Sequence, residues 1–563
     1  RGSVLMIIER ENEALLAQNK LLSSVEEAYN YIEKFDILET INNVGNDEIF
    51  TPVKLCNEIL DVLPAEVWSN PKYKWLNPCD KNGVFSREIA LRLDEGLKTA
   101  IPNQEARRRH IMKNMLFSLG LTKFTALVAR RTLYYCGVAN RKFTKEEEGC
   151  AIGNGTWFDD NEGNIKTPIT EHSFNKGGRC IYCGTSKQGK YTDPNQIEHY
   201  AYEFLHNDNL EEHLQKRFFK GNKNMKFDII IGNPPYQLAD GGFGASAMAV
   251  YDKFVLKAIS LGPKYLSMII PTRWISDGKG GVNEFRKHML QERRLVEMHD
   301  YEDAHTCFPS VSDIKGGVCY FLWDRDYNSE CNIYNYDKNG DIFQKSYRFL
   351  LEKSLKTDIV LRDSRWTEIV IKIQSLSEES FIKFVSPLKP YGLRGDVFDF
   401  IEKYHLPKMS EKIIKDGYKI LGRSNNKPAE RYVDKGYPIS KNRDSVEMWK
   451  IFTQRNVGTG KTGDYLPKII IAEPGVLCTE TYLMIGPFPS KEITNNVATY
   501  IKTKFFRLLV EMKKNTQGVK RDKFSFVPIQ DFSKPWTDKE LYEKYKLSQE
   551  EIDYIEKHIK EMD

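Results

Sequence analysis

The chain contains the stretch Phe227-Asp228-Ile229-Ile230-Ile231-Gly232-Asn233-Pro234-Pro235-Tyr236. Its apolar run, 227–231, predicts a strand buried in a sheet, and the run leads directly into Asn-Pro-Pro-Tyr. Ligands of an open α/β sheet bind outside the carboxyl ends of the strands, so Asn233 and Tyr236 are expected at the rim of a site. A simple turn after a strand is the alternative interpretation, because Asn-Pro pairs favour turns.

The residues of this turn suit one kind of chemistry, the activation of an exocyclic amine on a purine ring. Such an amine is a poor nucleophile, because its lone pair is delocalised into the ring. If the side-chain oxygen of Asn233 and the carbonyl of Pro234 accept hydrogen bonds from its two N–H groups, the lone pair is directed towards an electrophile. Pro234 and Pro235 stiffen the turn without competing as donors, and Tyr236 offers a face on which a base can stack.

Short apolar runs alternate with helical stretches between about residue 50 and residue 330. The runs are Lys74–Leu76, Met115–Leu119, Phe227–Ile231, Tyr265–Ile270 and Gly317–Trp323. This alternation predicts an α/β sheet. Residues 4–45 have apolar residues at helical spacing, and the mixed pattern after about residue 340 predicts a separate α+β domain.

The Asn-Pro-Pro-Tyr motif resembles the hallmark of the S-adenosylmethionine-dependent amino-methyltransferases. DNA N6-adenine enzymes, some RNA enzymes and protein glutamine methyltransferases share it, so the order of the other motifs distinguishes them. Upstream, Phe50-Thr51-Pro52 resembles the element that precedes the cofactor loop in the gamma group of DNA adenine methyltransferases. The gamma group has a characteristic order of motifs, which is typical of restriction–modification methylases of type II and type IIG. This chain has the same order: Phe-Thr-Pro, the cofactor loop, Asn-Pro-Pro-Tyr and then a large C-terminal domain.

The segment Trp75–Phe85 resembles the cofactor loop of that family, whose pattern is close to Asp-Pro-Ala-Cys-Gly-Ser-Gly. A strand, a tight turn and a helix N-terminus form the usual cradle for a nucleotide-like cofactor. Asn77 replaces the first acid of the pattern and Lys81 an inner glycine, so Asp80 is expected to supply the carboxylate. The resemblance assigns cofactor contacts to Phe50, Thr51, Pro52, Asn77, Pro78, Asp80, Gly83 and Phe85.

Further positions follow from the same resemblance. Val250–Phe254 resembles the element that places an aromatic ring, here Phe254, against the cofactor adenine, and Asn154 is expected to contact that adenine too. Cys307-Phe308-Pro309 resembles the site of a second aromatic that packs on the flipped base. The acid that usually binds the cofactor ribose has no counterpart, because Gly120-Leu121-Thr122 follow the expected strand.

The resemblance implies three domains and one reaction. A Rossmann-like S-adenosylmethionine-dependent methyltransferase sheet is expected in residues 46–335, with an insertion at 140–220. It follows an N-terminal helical segment, 4–45, and precedes a C-terminal α+β target-recognition domain, 336–563. The implied enzyme is a site-specific DNA methyltransferase that moves the methyl group of S-adenosylmethionine to the N6 amine of an adenine flipped out of double-stranded DNA. Its expected catalytic residues are Asn233, Pro234, Pro235, Tyr236 and Phe308.

Composition agrees with a large protein of the cytoplasm. Hydrophobic residues make up 40% of the chain and charged residues 29%, so extensive cores are expected and global disorder is not. No apolar run approaches the roughly 20 residues of a membrane span. The ten cysteines are too sparse for a disulfide scaffold, which favours a reducing compartment.

Positive charge is concentrated in the C-terminal part of the chain. Residues 381–530 contain 27 Lys and Arg against 15 Asp and Glu, a net charge of +12, which favours a polyanionic partner such as DNA. In the densest segment, Gln517 is expected to read a base edge. The cations expected to contact phosphates there are Lys513, Lys514, Lys520, Arg521 and Lys523. A solvated basic loop is the alternative.

The segment Cys180-Ile181-Tyr182-Cys183-Gly184 has the spacing of a zinc knuckle. Cys136 and Cys150 upstream, or His199 and His206 downstream, are the residues that would complete four ligands. A second pair of ligands does not adjoin the cysteines, so a plain loop with two thiols is the favoured interpretation and a structural zinc the alternative.

Two other functions stay open. Single-chain restriction–modification enzymes carry a nuclease, usually before the methyltransferase, but residues 4–45 are fewer than such a domain needs. A separate restriction endonuclease, or none, is therefore expected as a partner. The second alternative is a non-catalytic DNA-binding protein with a decayed cofactor site, which Asn77, Lys81 and Gly120 suggest.

Overall fold

The computed structural model of the chain forms two compact units. It describes residues 49–135, 157–185, 187, 201–237, 249–275, 282–309, 314, 316–337, 339–350, 364–455, 466, 468–513 and 519–562. The first unit contains the described residues up to Thr272 and between 279 and 347, and the second contains those of 273–278 and from Arg348 onward. The segment predicted to be helical, 4–45, lies outside the described residues.

The first unit is built on one nine-stranded sheet. Its strands are β1 (Trp75–Asp80), β2 (Leu116–Gly120), β3 (Ile165–Lys166), β4 (Ile229–Gly232), β5 (Tyr265–Pro271), β6 (Leu295–Tyr301), β7 (Val318–Asp324), β8 (Cys331–Tyr336) and β9 (Ile342–Arg348). They lie in the order β3-β2-β1-β4-β5-β7-β6-β8-β9. Strands β1 to β5 pair in parallel, whereas β7 is antiparallel to both β5 and β6.

The strand order reverses beside β1, which pairs with β2 on one side and with β4 on the other. In doubly wound sheets this reversal is the point where ligands bind, outside the carboxyl ends of the strands. The run Ile229–Ile231 of β4 is completely buried, as expected for a central parallel strand covered on both faces. The predicted α/β, Rossmann-like sheet is therefore confirmed. Strands β8 and β9 continue it beyond residue 335, where the sequence predicted the boundary, and the unit ends at Tyr347.

Helices cover this sheet and hold its strand ends in place. They are α1 (Val53–Asp61), α2 (Glu66–Ser69), α3 (Val84–Gly96), α4 (Gln104–His110), α5 (Lys123–Arg130), α6 (Leu210–Phe219), α7 (Tyr251–Ser260) and α8 (Asn283–Gln291). Helix α5 begins with a capping box between Thr122 and Thr125 and passes so close to β2 that a Cβ at Gly120 would lie 2.4 Å from that of Ala126. No side chain fits at that strand end, which explains why position 120 carries no acid.

The second unit has the mixed α+β character that the sequence predicts. Its strands are β10 (Tyr418–Ser424), β11 (Lys427–Val433), β12 (Trp449–Gln454), β13 (Ile469–Ala472), β14 (Val476–Cys478) and β15 (Tyr482–Phe488). They form two three-stranded sheets, β11-β10-β14 and β13-β12-β15. The helices are α9 (Ser364–Ser375), α10 (Lys491–Lys502), α11 (Lys504–Glu511), α12 (Asp538–Lys544) and α13 (Gln549–His558). In the described part of the chain, no helix combines the length and the hydropathy that a membrane span requires.

Candidate active site

The carboxyl ends of β1 and β4 meet at the point where the strand order reverses. The two strands pair in parallel, with Trp75 opposite Ile229. Gly232, the last residue of β4, makes this approach possible, because a Cβ there would lie 2.8 Å from Asn77 Oδ1 and 3.0 Å from Cys79 Sγ. The structure thus brings the Asn-Pro-Pro-Tyr turn against the segment predicted to be the cofactor loop.

The side-chain amide of Asn233 is buried and held in one orientation. Its Nδ2 donates to the backbone oxygen of Ile49 at 3.1 Å and to Thr51 Oγ1 at 3.1 Å. A backbone carbonyl only accepts hydrogen bonds, so the nitrogen must face Ile49 and the oxygen must face away. No described residue donates to Asn233 Oδ1. A buried acceptor without a partner costs about 1–3 kcal/mol, so this oxygen favours a ligand that brings an N–H donor.

Lys81 belongs to the same network, although the sequence indicated only a departure from the glycine-rich pattern. Its Nζ donates to the backbone oxygen of Ile49 at 2.8 Å, and the side chain is buried. Ile49 therefore accepts from Lys81 and from Asn233, which ties the Phe-Thr-Pro segment to both strand ends. The lysine in place of glycine was the signal for this role, but its partner is a carbonyl that no sequence pattern marks.

Asp80 holds the turn between β1 and α3. Its two carboxylate oxygens accept from the backbone N–H of Gly83 at 3.1 Å and from Ser86 Oγ at 2.7 Å. Burial raises the pKa of Asp80, and the bonds from Ser86, Ser118 and the turn backbone oppose that shift. Gly83 has a φ of 80°, and a Cβ there would lie 3.0 Å from the backbone of Ala129, so glycine is required. Asp80 thus shapes the loop with both of its oxygens.

The two asparagines of the loop use their amide oxygens within the turn. Asn77 Oδ1 accepts from the backbone N–H of Cys79 at 3.2 Å, and Asn82 Oδ1 accepts from that of Val84 at 3.3 Å. Asn82 Nδ2 is buried and has no hydrogen-bond partner among the described residues. An unpaired donor in the turn and an unpaired acceptor at Asn233 suit a ligand that carries both acceptors and donors.

The predicted aromatic pair of the substrate pocket is brought together. The rings of Tyr236 and Phe308 lie edge to face, with centroids 6.4 Å apart. They are only 5% and 1% exposed. Tyr236 Oη has no partner among the described residues, and burial raises the pKa of this phenol well above its usual value. The two rings pack against each other in this structure, so a stacked base requires them to move.

Other predicted cofactor residues occupy different environments. Phe50 and Phe85 are buried, and Pro52 precedes the first residue of α1. Pro78 lies within β1. Phe254, predicted to contact the cofactor adenine, is fully buried and stacks on Phe204 with centroids 5.6 Å apart. Phe254 thus packs in the core, and its contact with the cofactor adenine stays a prediction. Asn154 lies outside the described residues.

The predicted basic segment lies in the second unit and is only partly available to a polyanion. Arg521 is exposed, and its Nε donates to the backbone oxygen of Ile382. Lys513 contacts Ser525 and lies over the ring of Phe526, and Lys520 is half-buried. Lys523 was predicted to contact a phosphate, but its side chain is buried and paired with Asp522 at 3.3 Å. Lys514 and Gln517 lie outside the described residues.

The two cysteines of the predicted knuckle lie close to two histidines. Cys180, Cys183, His172 and His206 place one ligand atom each within 4.8 Å of all the others. His206 was among the expected partners, whereas His172 was missed, because it precedes the cysteines at no recognised spacing. Cys136, Cys150 and His199 lie outside the described residues.

Sequence comparison matches the chain to one family model and to one curated relative. A family model described as Eco57I restriction-modification methylase matches residues 114–308, which include β2, the Asn-Pro-Pro-Tyr turn and Phe308. A Mycoplasma pneumoniae protein named as an uncharacterized adenine-specific methylase is 48% identical over 359 residues, which is 61% of this chain and 84% of the relative.

Solved structures of restriction–modification enzymes align more distantly. The type IIL restriction-modification enzyme MmeI in complex with DNA aligns with a TM-score of 0.42 and 12% identity, over 92% of this chain and 66% of that chain. A modification subunit of a type I restriction enzyme from Vibrio vulnificus YJ016 aligns with a TM-score of 0.31 and 12% identity, over 57% of this chain and 56% of that chain.

The sequence relative decides the family, because its identity is high and the alignment covers most of its length. The matched region also contains the strand end at which Asn233 is held. The resemblance inferred from the motifs is confirmed, and the chain belongs to the adenine-specific methylases of the Eco57I restriction-modification type.

Proposed function

We propose that this methylase transfers the methyl group of S-adenosylmethionine to the N6 amine of an adenine flipped out of double-stranded DNA. The observation that carries the proposal is the oxygen of Asn233. It is buried, it is oriented by the two acceptors that hold Nδ2, and it has no donor among the described residues. An adenine amine is a donor that would satisfy this oxygen.

Two acceptors at the strand end suit the two N–H bonds of that amine. Pro234 has no N–H of its own, and no described residue donates to its carbonyl. With Asn233 Oδ1 on one hydrogen and the Pro234 carbonyl on the other, the nitrogen would be held with its lone pair directed out of the ring plane. Both prolines keep the turn rigid, so these acceptors need no reorganisation during the reaction.

The aromatic pair is proposed to compensate for the loss of stacking when the base leaves the duplex. Extrusion costs a few kcal/mol, and stacking on an aromatic side chain is worth roughly 1–3 kcal/mol per base. The rings of Tyr236 and Phe308 contact each other in this structure. We propose that an entering adenine displaces their mutual contact and takes its place.

The turn between β1 and α3 fits the cofactor that this family implies. Asn82 Nδ2 is an unpaired buried donor suited to a cofactor acceptor, and Asp80 and Gly83 hold the turn in which it lies. S-adenosylmethionine would supply an electrophilic methyl group on a positively charged sulfur. Asn77, Pro78 and the Phe-Thr-Pro segment adjoin this turn, and Lys81 and Thr51 act as positioning residues through Ile49 and Asn233.

The second unit is proposed to bind the DNA. The net charge of +12 in residues 381–530 suits phosphate contacts, and Arg521 is an exposed cation in its densest segment. Lys513, Lys514, Lys520 and Gln517 stay proposed contacts, whereas Lys523 is not among them because it is buried with Asp522. A separate restriction endonuclease remains the proposed partner, and the cytoplasm the proposed location.

The test is to identify the methylated product. The purified chain is incubated with S-adenosylmethionine and DNA that lacks methylated adenine, and the DNA is digested to nucleosides for mass spectrometry. We expect N6-methyl-2′-deoxyadenosine with the parent chain and with Asn335→Ala, but not with Asn233→Ala. Asn335 is a suitable control, because its buried amide oxygen also lacks a partner among the described residues yet lies in β8.

Three results would contradict the proposal in different ways. Absence of S-adenosylmethionine binding in calorimetry, with cognate DNA present, would favour a DNA-binding protein with a decayed site. Specific DNA fragments formed with Mg²⁺ would show that the chain carries a nuclease. A methyl group on RNA, protein or another base would overturn the substrate assignment.

A further inference from the structure

The segment that contains Cys180 and Cys183 folds as a tight turn. Phe174 and Cys180 form an antiparallel bridge, and the backbone N–H of Gly184 donates to the carbonyl of Cys180 at 2.9 Å. Gly184 has a φ of 82°, a conformation that glycine adopts without strain. The turn brings both thiols to its inner side, where Cys180 is 3% exposed and Cys183 is fully buried.

His172, which precedes the two cysteines, and His206, which follows them, complete the group. His172 Nδ1 lies 3.5 Å from Cys183 Sγ and 3.2 Å from His206 Nε2. In a tetrahedral site with Zn–S bonds of about 2.3 Å and Zn–N bonds of about 2.0–2.1 Å, neighbouring ligand atoms are about 3.3–3.8 Å apart. The spacing of these three atoms is therefore close to that of a zinc coordination shell.

The hydrogen bond of His206 prepares its ring for metal binding. His206 Nδ1 lies 2.8 Å from the backbone oxygen of Tyr202. A carbonyl only accepts, so Nδ1 carries the proton and a neutral ring presents the bare Nε2 to the cluster. Metal-bound histidines commonly donate their other ring N–H in this way, which fixes the tautomer and the ring orientation.

We propose that His172, Cys180, Cys183 and His206 bind one structural Zn²⁺ ion. Two thiolates and two imidazoles in a compact tetrahedral set are a combination that zinc prefers. All four ligands are protein side chains, so the site has no open position for a substrate and its role is structural. Without a metal, the same atoms would be two thiols beside a pair of histidines that share one hydrogen bond.

The proposed ion would brace the helix that follows the Asn-Pro-Pro-Tyr turn. Lys253 Nζ donates to the backbone oxygen of Tyr182 at 2.6 Å, between the two cysteines. Lys257 Nζ donates to the backbone oxygen of Leu205 at 2.8 Å, next to His206. Both lysines belong to α7, and the N–H of Val250, just before that helix, donates to the backbone oxygen of Tyr236 at 3.3 Å. The metal site is thus connected to the catalytic turn through α7.

The experiment measures metal content and ligand type in the full chain, purified without a polyhistidine tag. Inductively coupled plasma mass spectrometry should find about one zinc ion per chain. Replacement of zinc by Co²⁺ should give the visible bands of tetrahedral cobalt together with a thiolate-to-cobalt charge-transfer band. Cys183→Ser and His206→Gln should both lose the ion, whereas Cys331→Ser and His305→Gln should keep it.

The cobalt spectrum keeps the proposal testable even if a ligand variant fails to fold, because it is recorded on the parent chain. A parent chain that is purified without zinc, and that shows no thiolate charge-transfer band after reduction and titration with Co²⁺, would overturn the proposal. Retention of zinc by both ligand variants would overturn it equally, since the ion would then lie elsewhere.

Discussion

The hydroxyl of Thr51 is predicted to position the catalytic amide, and Thr51→Val tests this. Thr51 Oγ1 is one of two acceptors for Asn233 Nδ2, each at 3.1 Å. Valine keeps the shape of the side chain and removes only this acceptor. The amide would then be held by the Ile49 carbonyl alone, and its oxygen would sample orientations that do not face the adenine amine.

The size of the expected decrease in rate follows from the loss of one hydrogen bond. Such a bond contributes a net of about 0.5–1.5 kcal/mol, and each 1.36 kcal/mol in the activation free energy corresponds to a factor of about ten in rate. We therefore expect the rate of methyl transfer in Thr51→Val to fall about 2- to 10-fold. DNA binding should not change, because Thr51 belongs to the first unit, whereas the proposed DNA contacts belong to the second.

A double-mutant cycle separates this positioning role from a direct contact with the cofactor. The rate is measured under single-turnover conditions in the parent chain, in Thr51→Val, in Asn233→Ala and in the double variant. If Thr51 acts through Asn233, its substitution should have almost no further effect once the amide is gone. Thr367→Val, which removes a buried hydroxyl without a partner among the described residues, is the matched control and should keep the parent rate. An equal effect of Thr51→Val in both backgrounds would show that Thr51 acts independently of Asn233.

Three further predictions concern other parts of the chain. Burial raises the pKa of Asp252 from 3.8 to about 6, so the folded protein keeps a proton that the unfolded chain has released between those pH values, and stability falls as the pH rises through this window. Asp252→Asn should therefore raise the free energy of unfolding by up to about 3 kcal/mol at pH 7.5 and by almost nothing at pH 4, measured by denaturant titration; an equal gain at both pH values would contradict the assignment. Lys520→Ala with Arg521→Ala should lower the salt slope of DNA binding by about 0.9 per lost phosphate contact, and an unchanged slope would place the DNA elsewhere. Tyr236→Ala and Phe308→Ala should each lower the flipped population, reported by 2-aminopurine emission at the target position, because roughly 1–3 kcal/mol of stacking is lost. A signal equal to that of the parent chain in both variants would show that these rings are ordinary core residues.

The sequence predicted those strands whose residues are apolar on both faces. The runs that became β1, β2, β4, β5 and β7 are nearly continuous in hydrophobic residues, which is the pattern of central strands. Strands β6 and β8 were missed, because their polar residues are satisfied by neighbours in the sheet. His299 of β6 stacks between Tyr320 and Tyr334, with centroids 4.4 and 4.6 Å away, and bonds to Tyr336 Oη. Such partners come together only after the sheet has formed.

The sequence also predicted only part of the candidate site. Asn233 and its turn were found from the motif, because this chemistry requires particular side chains in sequence. The groups that hold Asn233 were not predicted. The Ile49 carbonyl lies 184 residues away in the sequence, and any residue type could supply such a carbonyl. Lys81 and Gly120 looked like losses in a cofactor site, but the structure explains them as a bond to Ile49 and as close packing against Ala126. Whether the cofactor site is intact is tested by the titration with S-adenosylmethionine.

The central claim is that Asn233 Oδ1 accepts a hydrogen bond from the adenine amine, and one comparison tests it directly. Single-turnover methyl transfer to DNA is measured for the parent chain, Asn233→Ala and Asn233→Asp, with cofactor and DNA binding measured in parallel. Removing one preorganised hydrogen-bonding group from a reacting centre typically costs roughly 10²–10³ in rate. We expect a loss of that size for alanine, with cofactor and DNA binding intact, and partial recovery for aspartate, which keeps an acceptor oxygen. Near-parent transfer by Asn233→Ala would show that the amine does not depend on this oxygen.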